Sequence, residues 1–441
     1  MPAAIDLPMN VWLKSVTLLE SSSPLHQQRV HLVIQDGVIS RLEAAGDSDP
    51  DIQADRIIEG KEVRVSMGWL DMQAHFGDPG LEHKEDLHSG SRAAAAGGFT
   101  EVALVPNTEP VLDTKNDLHY LRSRSSDLVK IHPLAAVTRN TEGLELTEMI
   151  DLHEAGAEAF SDGLQALTHR QVLLKALQYT QKFDGLLINR PEDTQLTQFG
   201  TMHEGVQSTR LGMKGMPSLS ETLAVEQHIR LLQYASEFAY QNPPRLHLSN
   251  ISAAKAVALI KEAKQQDLAI TCDVAAHQLV MTDDLLADFD THYKVNPPLR
   301  TEVDRQALLE GLKDGTIDVI VSSHQPQDLE SKRCEFDLAE FGMLGLPTFL
   351  PMLAQVVSES LPWWSLLDRC THLPRELLKL PLPKLAEGEV ANLTVFDPTQ
   401  NWELNESSSP SKSANHPWWG KTLTGQVLAV FNAHQHYLVN G

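Results

Sequence analysis

The sequence predicts an α/β protein: a (β/α)8 TIM barrel with a small β-sandwich domain formed by both chain termini. Three observations carry that expectation. Through the middle of the chain, short apolar runs alternate with amphipathic stretches, the pattern of βα units around a parallel sheet. Eight such runs can be counted between residues 69 and 324, the number that closes a barrel. The 441 residues exceed one ordinary domain of roughly 100–200 residues but suit a barrel of roughly 250 with a smaller companion.

Residues 1–68 are expected to form the first part of the sandwich. VWLKSVTLL and RVHLVIQDGVISRLEA have strand composition, and Asp36-Gly37 sits between alternating runs as a hairpin turn should. The barrel is placed at 69–384, with strands at 69–76, 99–107, 130–138, 157–162, 185–190, 245–250, 269–277 and 318–324. AAAAGGF ends a helix and turns into the second strand, which makes Gly97 and Gly98 turn residues rather than a phosphate-binding loop. Residues 385–441 return to β texture in GEVANLTVFDP and TGQVLAVFNAHQHYLVNG and complete the sandwich. Between these two runs, the polar, Ser- and Pro-rich stretch 403–414 reads as a mobile loop.

Charge and composition exclude several classes of function. Lys plus Arg number 36 against 59 Asp plus Glu, a net charge of −23 that repels phosphate backbones and anionic lipid surfaces, so neither nucleic acid nor membrane is an expected partner. No run approaches the roughly 18 apolar residues of a membrane span, and the N-terminus lacks the regions of a signal peptide. A cytoplasmic protein is expected. Cys272, Cys334 and Cys370 form no CxxC pair and read as reduced thiols.

Barrel chemistry is carried at the carboxyl ends of the strands. Those positions hold Asp71, Gln73, His75 and Gly77 on the first strand, Asn107 on the second, Asp162 on the fourth, and Asn189 and Arg190 on the fifth. The sixth offers His247 and Asn250, the seventh His277, and the eighth Ser322, Ser323 and His324. A hydrolytic metal centre needs imidazoles and carboxylates converging from several strands. Only some of these side chains qualify.

SMGWLDMQAHFGDPG, KEDLHSGSRAAAAGGFTEVALVPNTEPVLDT, AEAFSDG, HLSNISAAKAVALI, YKVNPPLR and SSHQPQ, in this order, resemble the dihydroorotase family of the amidohydrolase superfamily. The resemblance implies an amidohydrolase-type barrel, and it implies a site that this chain has altered. Where the family has two zinc-binding histidines and a substrate-gripping arginine, the chain has Gln73, His75 and Gly77. The family's bridging carboxylate falls at or beside Asp162. Arg190 and Asn250 stand in place of two further histidine ligands, Ser323 in place of the aspartate that is ligand and general acid/base, and Gln327 in place of the last histidine.

These substitutions lead to the expectation of no catalytic residue and no metal site, with His75 and Asp162 as remnants and Gln73, Arg190, Asn250 and Ser323 as substituted positions. Losing even one supporting group costs about 10–100-fold in metal affinity. Arg190 brings a permanent positive charge and is expected to pair with Asp162 in place of the ion. Ser323, a hydroxyl without a basic partner, is no base at neutral pH. Asn107 and Asn296 stand where the family contacts substrate and are read as vestigial substrate-binding residues.

Together with the resemblance, these losses imply a non-catalytic dihydroorotase-like protein of a degenerate branch. It would be a structural subunit that assembles with the aspartate carbamoyltransferase catalytic chain in pyrimidine biosynthesis, as a homo-oligomer within a larger complex and with no cofactor. An alternative is an active metal-dependent cyclic amidohydrolase, a dihydroorotase acting on dihydroorotate or carbamoyl aspartate through zinc held by His75, Asp162 and a recruited histidine such as His277. A third is a barrel that senses a pyrimidine intermediate through Asn107 and Asn296.

Overall fold

The computed structural model describes residues 9–46, 50–124, 128–239 and 242–439. Eight parallel strands follow one another around a barrel in chain order: Trp69–Ala74, Phe99–Leu104, Lys130–Ala135, Ala159–Ser161, Leu186–Asn189, Arg245–Leu248, Ile270–Ala275 and Val319–Val321. A parallel bridge between Ala74 and His324 joins the last strand's end to the first. Each strand lies within its expected range and stops short of that range's C-terminal limit. There the chain leaves the ladder to build the barrel mouth.

The second sheet has eight strands drawn from both ends of the chain. Arg64–Met67 pairs antiparallel with Asn392–Glu403, in the register Met67 to Leu393 and Val65 to Val395. Inward-facing side chains from several strands of this sheet, Leu13, Val16, Leu32, Val65, Leu393 and Phe431 among them, form one buried cluster. The hairpin between Arg29–Gln35 and Val38–Ala44 turns at Asp36 and Gly37, both at positive φ (49° and 75°). Gly37 also allows close approach, since a Cβ there would lie 2.5 Å from the carbonyl of Ala433.

Trp69 locks the sandwich to the barrel. It is fully buried, with ring centroids 5.9, 5.8 and 5.6 Å from Phe99, Phe349 and Phe396. Truncating an aromatic of this kind to Ala costs about 3–5 kcal/mol. Gly98, at φ +100°, passes so close to Trp69 that a Cβ would meet its ring at 2.5 Å, which explains the Gly-Gly pair without any phosphate. Helix His372–Leu377 sends Arg375 into a buried cluster, where Glu101 accepts from its guanidinium at 2.8 and 3.1 Å and sits 2.6 Å from His132 Nε2.

The stretch expected to be a mobile loop is instead tied to the barrel. Ser411 Oγ and Lys412 N donate to the buried Glu85, Lys412 Nζ reaches Glu82 O, and Ser413 Oγ reaches Lys84 O. Asn415 next to it accepts from Gln327 N and donates to Gln325 O, both at 3.0 Å. Serine-rich composition signalled a lack of apolar anchors, but the anchors here are hydrogen bonds. Cys272 and Cys370 are buried, Cys334 is half-buried, and all are free. Among the described residues, no helix is long and apolar enough to cross a membrane.

Candidate functional site at the barrel mouth

The first strand delivers Asp71, Gln73 and His75 to the mouth, all buried. Asp71 accepts hydrogen bonds from Ser322 N (2.9 Å), from Ser322 Oγ and from Gln73 N (3.3 Å). Burial nevertheless pushes its carboxyl up to about 7, with Asp273 adding repulsion. Gln73 Oε1 accepts from Ser249 Oγ at 2.9 Å. His75 donates from Nε2 to Asn107 O at 2.8 Å, and burial lowers its pKa to about 4, so the ring is neutral.

Asp162 does not pair with Arg190. It accepts from Val137 N (3.0 Å), Thr138 N (2.9 Å) and Thr138 Oγ1 (2.6 Å), and so fixes the turn after the third strand. Burial raises its pKa against these bonds. Asn107, read as a substrate contact, is a fastener between the second and fourth strand ends. Its Nδ2 donates to Asp162 O at 3.1 Å and its Oδ1 accepts from Leu164 N at 2.7 Å.

Arg190 pairs with Glu192 at 2.7 Å, and the two side chains are only 10% and 12% exposed. Glu192 also accepts from Asn296 Nδ2 (3.4 Å) and Thr197 Oγ1 (2.5 Å). Asn250, at φ 56°, donates its backbone N–H to Asp273 Oδ1 at 2.6 Å and its Nδ2 to Ser323 Oγ at 3.4 Å. Asp273 in turn holds His247 Nε2 at 2.9 Å. Arg190, Glu192, Asn250, Asn296 and Arg300 line one crevice of about 10 Å³, room for about one water.

Sequence reasoning passed over Glu192, Glu221 and the role of Arg300. The RPED phrase was signal enough for Glu192, because two residues of separation puts its carboxylate within reach of Arg190. Arg300 bonds Ser252 Oγ, His203 Nδ1 and Met216 O at 3.0–3.1 Å and lies 3.5 Å from Glu221. Glu221 is twenty-nine residues away along the chain from its neighbour Glu192 (221 − 192), so only the fold reveals that both line the crevice.

The residues present do not fit a catalytic metal. Gln73, Asn250 and Ser323 offer amides and a hydroxyl, Asp162 is saturated by the 137–138 turn, and His75 spends Nε2 on Asn107. Among the described residues, His277 keeps a buried Nε2 without a partner, yet no three His, Cys, Asp or Glu side chains converge on a point that could hold an ion. The set His75, Asp162 and His277 is therefore not assembled.

A family model described as Dihydro-orotase-like matches residues 63–242. The chain is 36% identical over 428 residues to a dihydroorotase of Pelobacter propionicus, covering 96% of this chain and 98% of that one. It is 37% identical over 415 residues to a dihydroorotase of Carboxydothermus hydrogenoformans, covering 91% and 94%. Among solved structures it resembles an L-hydantoinase (dihydropyrimidinase) from Arthrobacter aurescens, with a TM-score of 0.80, 22% identity and coverage of 96% and 94%. A dihydropyrimidinase from Brevibacillus agri gives a TM-score of 0.79 at 18% identity, with coverage of 98% and 95%. Those structural likenesses show the fold, an amidohydrolase-type barrel with a β-sandwich. The whole-chain relatives overturn the expectation of a non-catalytic structural subunit, since the proteins this chain matches from end to end are named for an enzyme. At this identity and coverage, the chain belongs to the dihydroorotase family.

Proposed function

We propose that the chain acts as a cyclic amidohydrolase of the dihydroorotase class, handling dihydroorotate and its ring-opened form, carbamoyl aspartate, at the barrel mouth. The observation that carries this is the 36% identity over 96% of the chain to a named dihydroorotase.

The mouth supplies matching recognition groups. Arg190 Nε, a donor, and Asn250 Oδ1, an acceptor, are buried without partners among the described residues, and both residues line the crevice. A ring amide offers the complementary pair, a carbonyl for Arg190 and an N–H for Asn250. Satisfying both relieves a penalty of about 1–3 kcal/mol for each unpaired group. Glu192 pairs with a terminal nitrogen of the same guanidinium at 2.7 Å. The crevice as it stands has room for about one water, so a ring is admitted only when its lining residues move apart. No step runs through a metal, because the side chains do not fit one.

The test is to incubate the purified chain with each compound, follow ring opening and closure by chromatography, and measure binding by calorimetry. Interconversion is expected, with weaker binding in Arg190→Gln. Absence of interconversion in both directions overturns the reading.

A further inference from the structure

The serine-rich strap at residues 411–416 ends against the last two strands of the barrel. Asn415 ties it to Gln325 and Gln327, just beyond the eighth strand. His416, 1% exposed, stands next to His277, on the turn Ala276–Leu279 that follows the seventh. We propose that this strap is an acid-sensitive latch, closed on the barrel while His416 is neutral and released when His416 takes up a proton. The proposal does not depend on the reading of the mouth.

Hydrogen bonding fixes the neutral ring. His416 Nδ1 accepts from Trp418 N at 3.0 Å, so the ring proton sits on Nε2. That buried N–H has no acceptor among the described residues. A second proton has only Nδ1 to occupy, where it would point at the N–H of Trp418. The bond that shapes the turn then becomes a contact between two donors, and the turn has to open.

The surroundings also oppose the added charge. His277, His292 on the turn Thr291–Tyr293 and Lys421 are the charged or titratable groups that act on His416, and each repels a proton there. Asp290 is committed to His292, with its Oδ1 2.7 Å from His292 Nδ1 and 3.0 Å from His292 N. Burial adds the cost of taking an imidazolium out of water, so in the closed strap the pKa of His416 lies well below 6.5. In the open strap the solvated ring returns to about 6.5. The closed state has the lower value, so closure is complete above pH 6.5 and weakens as pH falls below it. Release frees Gln325 and Gln327 from Asn415 and uncovers the end of the eighth strand.

Hydrogen exchange of the full chain, read by mass spectrometry between pH 7.5 and 5 and corrected for the intrinsic rate, tests the latch. The opening constant of the strap amides should rise about 30-fold over that range, while the amides of strand Phe99–Leu104 keep their protection. In His416→Asn, whose Oδ1 can still accept from Trp418 N but cannot be protonated, the strap profile should be flat. His416→Gln serves as a second side chain that does not titrate. A flat profile in the wild type, or the wild-type slope in either variant, overturns the proposal.

Discussion

Arg190 faces Glu192 across 2.7 Å, while Asp162 spends both carboxylate oxygens on the turn at residues 137–138. The positive charge at the mouth is thus balanced by a neighbour in sequence rather than by a remnant of the family's metal set. Glu192→Gln leaves a largely buried guanidinium without its counter-ion and should lower stability by about 1–3 kcal/mol. Chemical denaturation measures this, and Arg190→Gln added to Glu192→Gln should recover part of the loss. An unchanged midpoint in the single variant would contradict the pairing.

Chelation should leave the mouth intact. The proposed recognition atoms, Arg190 Nε and Asn250 Oδ1, need no ion, and no three suitable ligands converge among the described residues. After dialysis against a chelator, the thermal midpoint and dihydroorotate affinity should equal those of the untreated chain. A fall in either that zinc restores would show a metal site.

The strap at residues 411–416 should open when Asn415 is truncated. Asn415→Ala removes the bonds to Gln327 N and Gln325 O, at about 1 kcal/mol each. Hydrogen exchange of the strap amides should then quicken by roughly 30-fold, which is what about 2 kcal/mol of opening energy represents. Exchange unchanged from the wild type would mean that other contacts hold the strap.

The Glu101–His132–Arg375 cluster makes stability depend on pH in two opposite ways. Burial works to raise the Glu101 pKa, but His132 and Arg375 outweigh it and bring the value from its ordinary 4.5 to about 2. Its contribution is complete above pH 4.5 and is lost as pH falls toward 2. Burial works to lower the His132 pKa, but Glu101 and Glu158 outweigh it and raise the value above 6.5. That contribution is complete below pH 6.5 and fades as pH climbs through the raised value. Unfolding free energies measured against pH should show both slopes, and Glu101→Gln should flatten them. A wild-type slope in Glu101→Gln would place the dependence elsewhere.

Much of this protein could be read from its residues in order. Apolar runs such as FTEVAL and LLIN could become only buried parallel strands, and Asp36-Gly37 could serve as a tight turn, so the barrel and the hairpin were legible. The identities of Gln73, Arg190, Asn250 and Ser323 were legible as well, because the chemical nature of a side chain does not depend on the fold.

Partnership was not legible. Asn107 looked like a ligand contact until its amide was found joining two strand ends, and the serine-rich stretch looked loose until Glu85 was found beneath it. The sequence by itself determined which strands and which chemical groups reach the mouth. Only the tertiary structure decided which of those groups are already satisfied by neighbours and which, like Arg190 Nε and Asn250 Oδ1, are left over among the described residues. The physical reason is that patterning is a short-range property of the chain, whereas a hydrogen bond forms between whatever atoms packing brings within about 3 Å.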